Sequence, residues 1–279
     1  MDERVVSSGV RRREPLFNVP GCIVLSLAVL LAIHAVYWAL GAAFDDQVLV
    51  QAAFLPARLT VFFSPHSLDV LAQQAANDPV ALERLRALQP FQIGTGLKPW
   101  TLLTYALLHG SWTHVGLNAI WLLAFGTPVA RRLGALSYFG LCAGGAVAAA
   151  LAQWALDPMG AAPLIGASGS VSALMGACAR FMFSRGGVQR GVLGEGPPPP
   201  LPPLAALLRD RPALLFVGSW AVLNFIFGAG AVEMGLSEAP VAWVAHVGGF
   251  AFGLLALGLF ERPRGVVVAA RARGSREER

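Results

Sequence analysis

Four side chains in this 279-residue chain could carry out a hydrolysis together: His114, Asn118, Ser168 and His246. Ser168 stands in Gly166-Ala167-Ser168-Gly169, a run of small residues that opens an apolar segment. The glycines Gly166 and Gly169 allow backbone or a bound chain to come close to its hydroxyl. A serine hydroxyl becomes a nucleophile once a base takes its proton. The run also suits helix packing, because small residues three to five apart let membrane helices approach. The base and the oxyanion donors must therefore come from elsewhere. His246 supplies an imidazole, the side chain that most readily exchanges a proton near neutral pH. His114 and Asn118, four apart, share one helix face, and with the Ser168 backbone N–H they could donate to an oxyanion. The apolar segments carrying His114, Ser168 and His246 hold no Asp or Glu, so the expectation is a Ser–His dyad without a carboxylate.

The elements that position these residues follow from composition. The chain is 56% hydrophobic and 13% charged, with a mean hydropathy of +0.60. Soluble domains carry about 25% charged residues. Apolar runs of roughly 20 residues recur, which predicts an all-α, polytopic membrane protein. Six spans are expected: Cys22 to Ala43, Ser111 or Trp112 to Arg131-Arg132, Leu136 to Leu156, Pro163 to Phe183, Pro212 to Val232, and Pro240 to Phe260. The first is long for a signal peptide and is read as a retained anchor. His34 in its middle is expected to hydrogen-bond a neighbouring helix. Gly140 and Gly144 give the third span a GxxxG spacing.

The domain reading is a tail at 1–21, a membrane domain at 22–262 and a basic tail at 263–279. Within the membrane domain, 44–110 is a long external first loop, with two short helical pieces separated at Pro79 and an interfacial stretch from Pro99 to Leu108. Residues 184–211 form a proline-rich loop with six prolines between Pro197 and Pro203. Arginine is distributed unevenly. The N-tail, the turn after the second span, the proline-rich loop and the C-tail carry four, two, four and six. The other side has only Arg58, Arg84, Arg86 and Lys98, all in the first loop. The positive-inside rule then assigns both termini to the cytoplasm. Counted along the expected spans, Ser168 falls about five residues and His246 about six from an outer end, so the four polar groups share a depth of roughly 5–10 Å.

The net charge of +5 is explained by this topology, so a nucleic-acid partner is not expected. Cys22, Cys142 and Cys178 lie in or at the start of apolar runs with no CxxC, which argues against a disulfide framework, a metal site or any cofactor. Twenty arginines against one lysine suggest a GC-rich bacterial genome, and hence a bacterial inner membrane.

With these residues in view, the chain resembles the rhomboid intramembrane serine proteases. His109, His114 and Asn118 match that family's second-helix signature, Gly166-Ala167-Ser168-Gly169 its nucleophile motif, and Ala245-His246-Val247-Gly248-Gly249 with Gly253 its sixth-helix motif. The resemblance covers about Gly96 to Phe260 and, in topology, the first span. It implies a six-helix rhomboid-like bundle, with Ser168 as nucleophile, His246 as base, and His114 and Asn118 at the oxyanion. It gives His109 a secondary or structural role and makes the fifth helix and the loop after it a gate for substrate entry. The implied partners are transmembrane protein substrates and the lipid bilayer. One departure stands out. The family's first loop often carries a Trp-Arg pair where this chain reads Trp100-Thr101, which leaves the support of that loop to be found elsewhere. Two other functions fit the sequence less well. A catalytically silent client-binding relative would lack Ser168 or His246, and a transporter would show internal repeats and a midplane site.

Overall fold

The structure, a computed structural model, describes residues 19–91, 93, 96–183, 199–230 and 242–261, with the side chains of 42–46, 227, 229 and 230 left aside. The N-terminal tail up to residue 18, most of the proline-rich loop, the connection between the fifth and sixth expected spans, and the C-terminal tail lie outside the described residues.

Among the described residues the regular secondary structure is helical, apart from one antiparallel bridge, Phe54 to Leu164. Helix α1 (Gly21–Leu40) is followed by the short helices α2 (Ala42–Ala52), α3 (Pro56–Phe63), α4 (His66–Gln74), α5 (Pro79–Leu88) and α6 (Thr101–Thr104). Then come α7 (Trp112–Trp121), a π-helical turn at Leu122–Gly126, and α8 (Thr127–Leu133). After them lie α9 (Ala135–Leu156), α10 (Ser168–Phe181), α11 (Leu204–Leu207) and α12 (Arg211–Gly230). Helix α13 (Trp243–Ala256) closes the series with a 3-10 turn at Leu257–Phe260. Among the described residues, three stretches are long and apolar enough to cross a membrane: Gly21–Leu40, Ala135–Leu156 and Trp243–Phe260.

Several boundaries differ from the sequence reading, each for a local reason. Helix α1 ends at Leu40 rather than Ala43 because Gly41 takes φ +77°, a left-handed value that favours glycine. The second span is a continuous path from Trp112 to Leu133, but Pro128 has no N–H to give the preceding turn. The widened turn before it leaves carbonyls that other groups take up. Thr127 Oγ1 donates to Leu123 O at 2.7 Å and Cys178 Sγ to Phe125 O at 3.4 Å.

The fourth span shows the largest change. Its helix begins at Ser168, five residues after the expected start at Pro163. Gly166 at φ +113° cannot continue a helix, and the preceding strand-like chain is held by the Phe54–Leu164 bridge. Ser168 is thus the first residue of α10 instead of lying one turn inside it, and the depth count along that helix no longer applies. At 1.5 Å per residue α10 covers about 21 Å, less than a hydrocarbon core of about 30 Å.

Helix α10 is the centre of the molecule, with every residue from Gly169 to Ala179 buried. Glycines set its contacts. A Cβ at Gly249 would strike the Gly169 carbonyl, one at Gly253 the Ala173 carbonyl, and one at Gly176 the Phe250 carbonyl. Helices α10 and α13 therefore touch backbone to backbone and run in the same direction. Helix α9 runs opposite to both. Gly145 faces Ala173 and Ala149 faces Gly169, while Gly144 accommodates the Phe252 ring and Gly140 the Phe260 ring. The GxxxG pair thus receives aromatic side chains of the last helix. Helix α12 is attached mostly through aromatics, Trp220 stacked on Phe250 at 4.0 Å and Phe216 against Phe125 at 5.6 Å.

The first loop is fastened by polar groups. Arg58 is buried and its Nη2 donates to the carbonyls of Val50 (3.0 Å) and Phe91 (3.2 Å). Lys98 Nζ also reaches Val50 O, at 3.1 Å, and Trp100 Nε1 donates to Gln51 O at 2.7 Å. Burial pulls the Arg58 guanidinium below its ordinary pKa, and burial with Arg58 nearby does the same to Lys98. A buried guanidinium is therefore present in this loop, supplied by Arg58 rather than by the residue after Trp100.

Candidate active site

The glycine contacts between α10 and α13 dictate what meets at their N-terminal ends. With Gly249 seated on Gly169, the residue one turn earlier on α13 lies beside the start of α10. Those residues are His246 and Ser168. Ser168 Oγ lies 2.9 Å from His246 Nε2, and both residues are half-buried. Because Ser168 opens α10, its own N–H and those of the next residues have no partner within the helix, and the positive end of the helix dipole points outward from there.

Gly166 brings α7 to the same point. A Cβ at Gly166 would lie 2.7 Å from His114 Nε2 and 3.8 Å from Ser168 Oγ, so only a glycine admits the imidazole. Helix α7 is capped by Ser111, whose Oγ accepts from His114 N at 3.1 Å and fixes the first turn that carries this histidine. His109 is buried behind the site. Its Nε2 accepts from Ala167 N at 3.3 Å, and its ring meets His114 edge-on at 4.9 Å. Asn118 is buried one turn past His114 and donates Nδ2 to the His114 carbonyl at 3.0 Å. It stiffens its own helix in this arrangement and does not face Ser168 through a hydrogen bond.

Gly169 has a different use from that read in the sequence. A Cβ there would meet Ala149 Cβ at 2.6 Å and Tyr105 Oη at 2.9 Å, so its small size is taken up by α9 and the first loop instead of leaving room for a substrate. His34 also departs from expectation. Both ring nitrogens are buried without a hydrogen-bond partner, and the ring packs edge-on to Trp112 at 4.6 Å.

The defining sequence pattern of the Rhomboid domain matches residues 97–262, well over half of the chain, and takes in His109, His114, Asn118, Ser168 and His246 but not His34. The chain belongs to the rhomboid family. It is similar to a rhomboid protease GlpG of Serratia proteamaculans (strain 568), 31% identical over 159 residues that make up 57% of this chain and 47% of that protein. The chain thus spans about half the length of the curated relative it matches. As a rhomboid-family protein with apolar spanning helices, it is an integral membrane protein.

One polar residue of this rhomboid domain escaped the sequence reading. Asn224 on α12 lies with Oδ1 2.8 Å from His246 Nδ1. The second, fourth and sixth spans hold no Asp or Glu that could face the histidine, and Asn224 belongs to the fifth. Asn224 is the sole Asn, Gln, Asp or Glu between Pro212 and Val232, so the rule that an amide inside a span is costly and therefore functional would have found it.

Proposed function

We propose that this rhomboid-family protein is a serine endopeptidase that hydrolyses peptide bonds in or near transmembrane segments of other membrane proteins, with Ser168 as nucleophile and His246 as base. The observation that carries this reading is the 2.9 Å approach of Ser168 Oγ to His246 Nε2 at the first residue of a buried helix.

In the reaction His246 Nε2 takes the Ser168 proton as Oγ attacks the scissile carbonyl carbon. The oxyanion that forms accepts from the Ser168 N–H and from His114 Nε2–H, beside the Gly166 backbone. Asn118 Nδ2 joins as a third donor once it leaves the His114 carbonyl. The protonated His246 then gives its proton to the departing amine, leaving an acyl ester on Ser168. Water deprotonated by His246 hydrolyses the ester and restores the hydroxyl. Peptide hydrolysis needs water, so the site must open to an aqueous side. Substrates should present helix-weakening residues, because an extended backbone has to reach Ser168.

The topology is a further part of the reading: six spans, both termini cytoplasmic, and the site entered from the outer side. The antiparallel order α9, α10 and the parallel order α10, α13 support an alternation of this kind, as does the arginine distribution. A bacterial inner membrane fits the same composition. The reading is tested by incubating wild-type protein in proteoliposomes with a model transmembrane substrate and a fluorophosphonate probe. Cleavage together with a probe adduct on Ser168, both lost in Ser168→Ala, is the expected result. Cleavage that persists in Ser168→Ala rejects it.

A further inference from the structure

The histidine at this site has a second side-chain partner besides Ser168, and it is neither a carboxylate nor on the helices that carry Ser168 and His114. Asn224 is half-buried on α12 and makes two hydrogen bonds toward α13. Its Nδ2 lies 3.1 Å from the Trp243 carbonyl and its Oδ1 2.8 Å from His246 Nδ1. These two contacts fix each other. A carbonyl oxygen can only accept, so the amide end of Asn224 must face Trp243. The end left facing His246 is then the amide oxygen, which also can only accept. His246 must therefore carry its proton on Nδ1. The remaining ring nitrogen, Nε2, is left with a free lone pair at 2.9 Å from Ser168 Oγ, which is the state a general base needs.

We propose that Asn224 is a positioning residue that holds His246 in the Nδ1–H tautomer and aims Nε2 at Ser168, making the working unit Ser168–His246–Asn224. The inference rests on the reading of Ser168 and His246 as nucleophile and base. A neutral amide can fill the place of the acid in such a unit, as Asn does in Cys–His–Asn proteases. It does so without a carboxylate, which would be costly to bury inside a span. The arrangement also ties the base to the seating of α12. That helix has one buried residue among those described, Ala213, and otherwise holds on through its aromatic contacts and Asn224.

The test compares wild type, Asn224→Leu and Asn224→Asp as full-length protein in detergent and in proteoliposomes. Leu keeps the γ-branched shape and removes both hydrogen bonds. Asp restores an acceptor, and when protonated it also restores the donor to Trp243. Four quantities are measured: kcat and KM on a model transmembrane substrate, the rate at which a fluorophosphonate labels Ser168, and the 15N signals of the His246 imidazole, assigned by difference with His246→Gln. Asn224→Leu should lower kcat and the labelling rate roughly 10- to 100-fold while KM stays within about twofold. Its His246 signals should move from the Nδ1–H pattern to a mixed or Nε2–H pattern. Asn224→Asp should recover kcat to within about fivefold of wild type and keep the Nδ1–H pattern. If the leucine variant does not elute as a single folded species, Asn224→Ala takes its place. A wild-type rate and unchanged imidazole signals in Asn224→Leu would overturn the inference, as would faster cleavage, which would make Asn224 a latch on α12. A wild-type protein that is neither labelled at Ser168 nor active would remove the protease reading itself. A normally labelled wild type with an indifferent Asn224→Leu removes only the role of Asn224.

Discussion

His246 is held between two helices that are fastened in opposite ways. On one side α10 meets α13 through glycines, with carbonyl groups lying where a side chain would stand. On the other, α12 meets α13 through the Trp220–Phe250 stack, the packing of Trp243 on Gly228, and the two bonds of Asn224. The contact that sets the Ser168–His246 distance is backbone against backbone and leaves almost nothing to adjust. The contact that orients the imidazole consists of side chains on a helix with most of its surface exposed. The distance between nucleophile and base is therefore built into the core, and the tautomer and aim of the base depend on a separable element.

Disturbing the first contact should have the largest effect. Gly249→Val puts a branched side chain against the Gly169 carbonyl, and the backbone offers no rotamer to relieve it. The expected result is a loss of stability beyond the about 1–3 kcal/mol typical of an overpacked core, together with loss of Ser168 labelling. Thermal unfolding in detergent and probe labelling check both. A variant that melts like wild type would show that α10 and α13 can separate freely.

The next effect in size concerns chemistry without packing. His114→Ala should fold nearly normally and lose about 2.7–4 kcal/mol of transition-state stabilisation, seen as a drop of roughly 10²- to 10³-fold in kcat. Asn118→Ala should lose less, because the amide now donates to the His114 carbonyl. No loss at all in Asn118→Ala would show that the amide stays on the His114 carbonyl throughout the reaction.

In the first loop, Arg58→Met should lower stability by about 1.5–3 kcal/mol, since the Val50 and Phe91 carbonyls lose a charged donor. Turnover per folded molecule should change little, because Arg58 serves the loop and not the reacting groups. Circular dichroism melts paired with active-site titration separate these quantities.

The smallest effect is expected on α12. A Cβ at Gly218 meets nothing within 4 Å, so Gly218→Ala should be neutral within about 0.5 kcal/mol or slightly stabilising. Set beside Gly249→Val, it gives the contrast between the two helices in one pair of melts.

The sequence exposed the parts of this molecule that depend on residue type at fixed spacing. Apolar runs outlined α9 and α13, the polar residues His114, Asn118 and His246 stood out because each is costly in a span, and Ser168 because glycines flank it. What it concealed depends on backbone conformation and on contacts distant along the chain. The start of α10 at Ser168 follows from the positive φ of Gly166 and a bridge to Phe54, 110 residues earlier in the loop. The widened turn before Pro128 and the buried placement of Arg58 have no local periodic signal. Asn224 was concealed for another reason. It carries no charge and lies outside the three motifs, although an amide in an apolar span is costly and so singled out.

The central claim is that Ser168 and His246 act as one unit. The most direct measurement is cleavage of a model transmembrane substrate in proteoliposomes by Ser168→Ala, His246→Ala and the double variant, each at matched amounts of folded protein. If the two side chains form one unit, each single variant should abolish turnover and the double variant should be no worse than either. Sustained cleavage by His246→Ala would contradict the pairing, and sustained cleavage by Ser168→Ala would contradict the whole account.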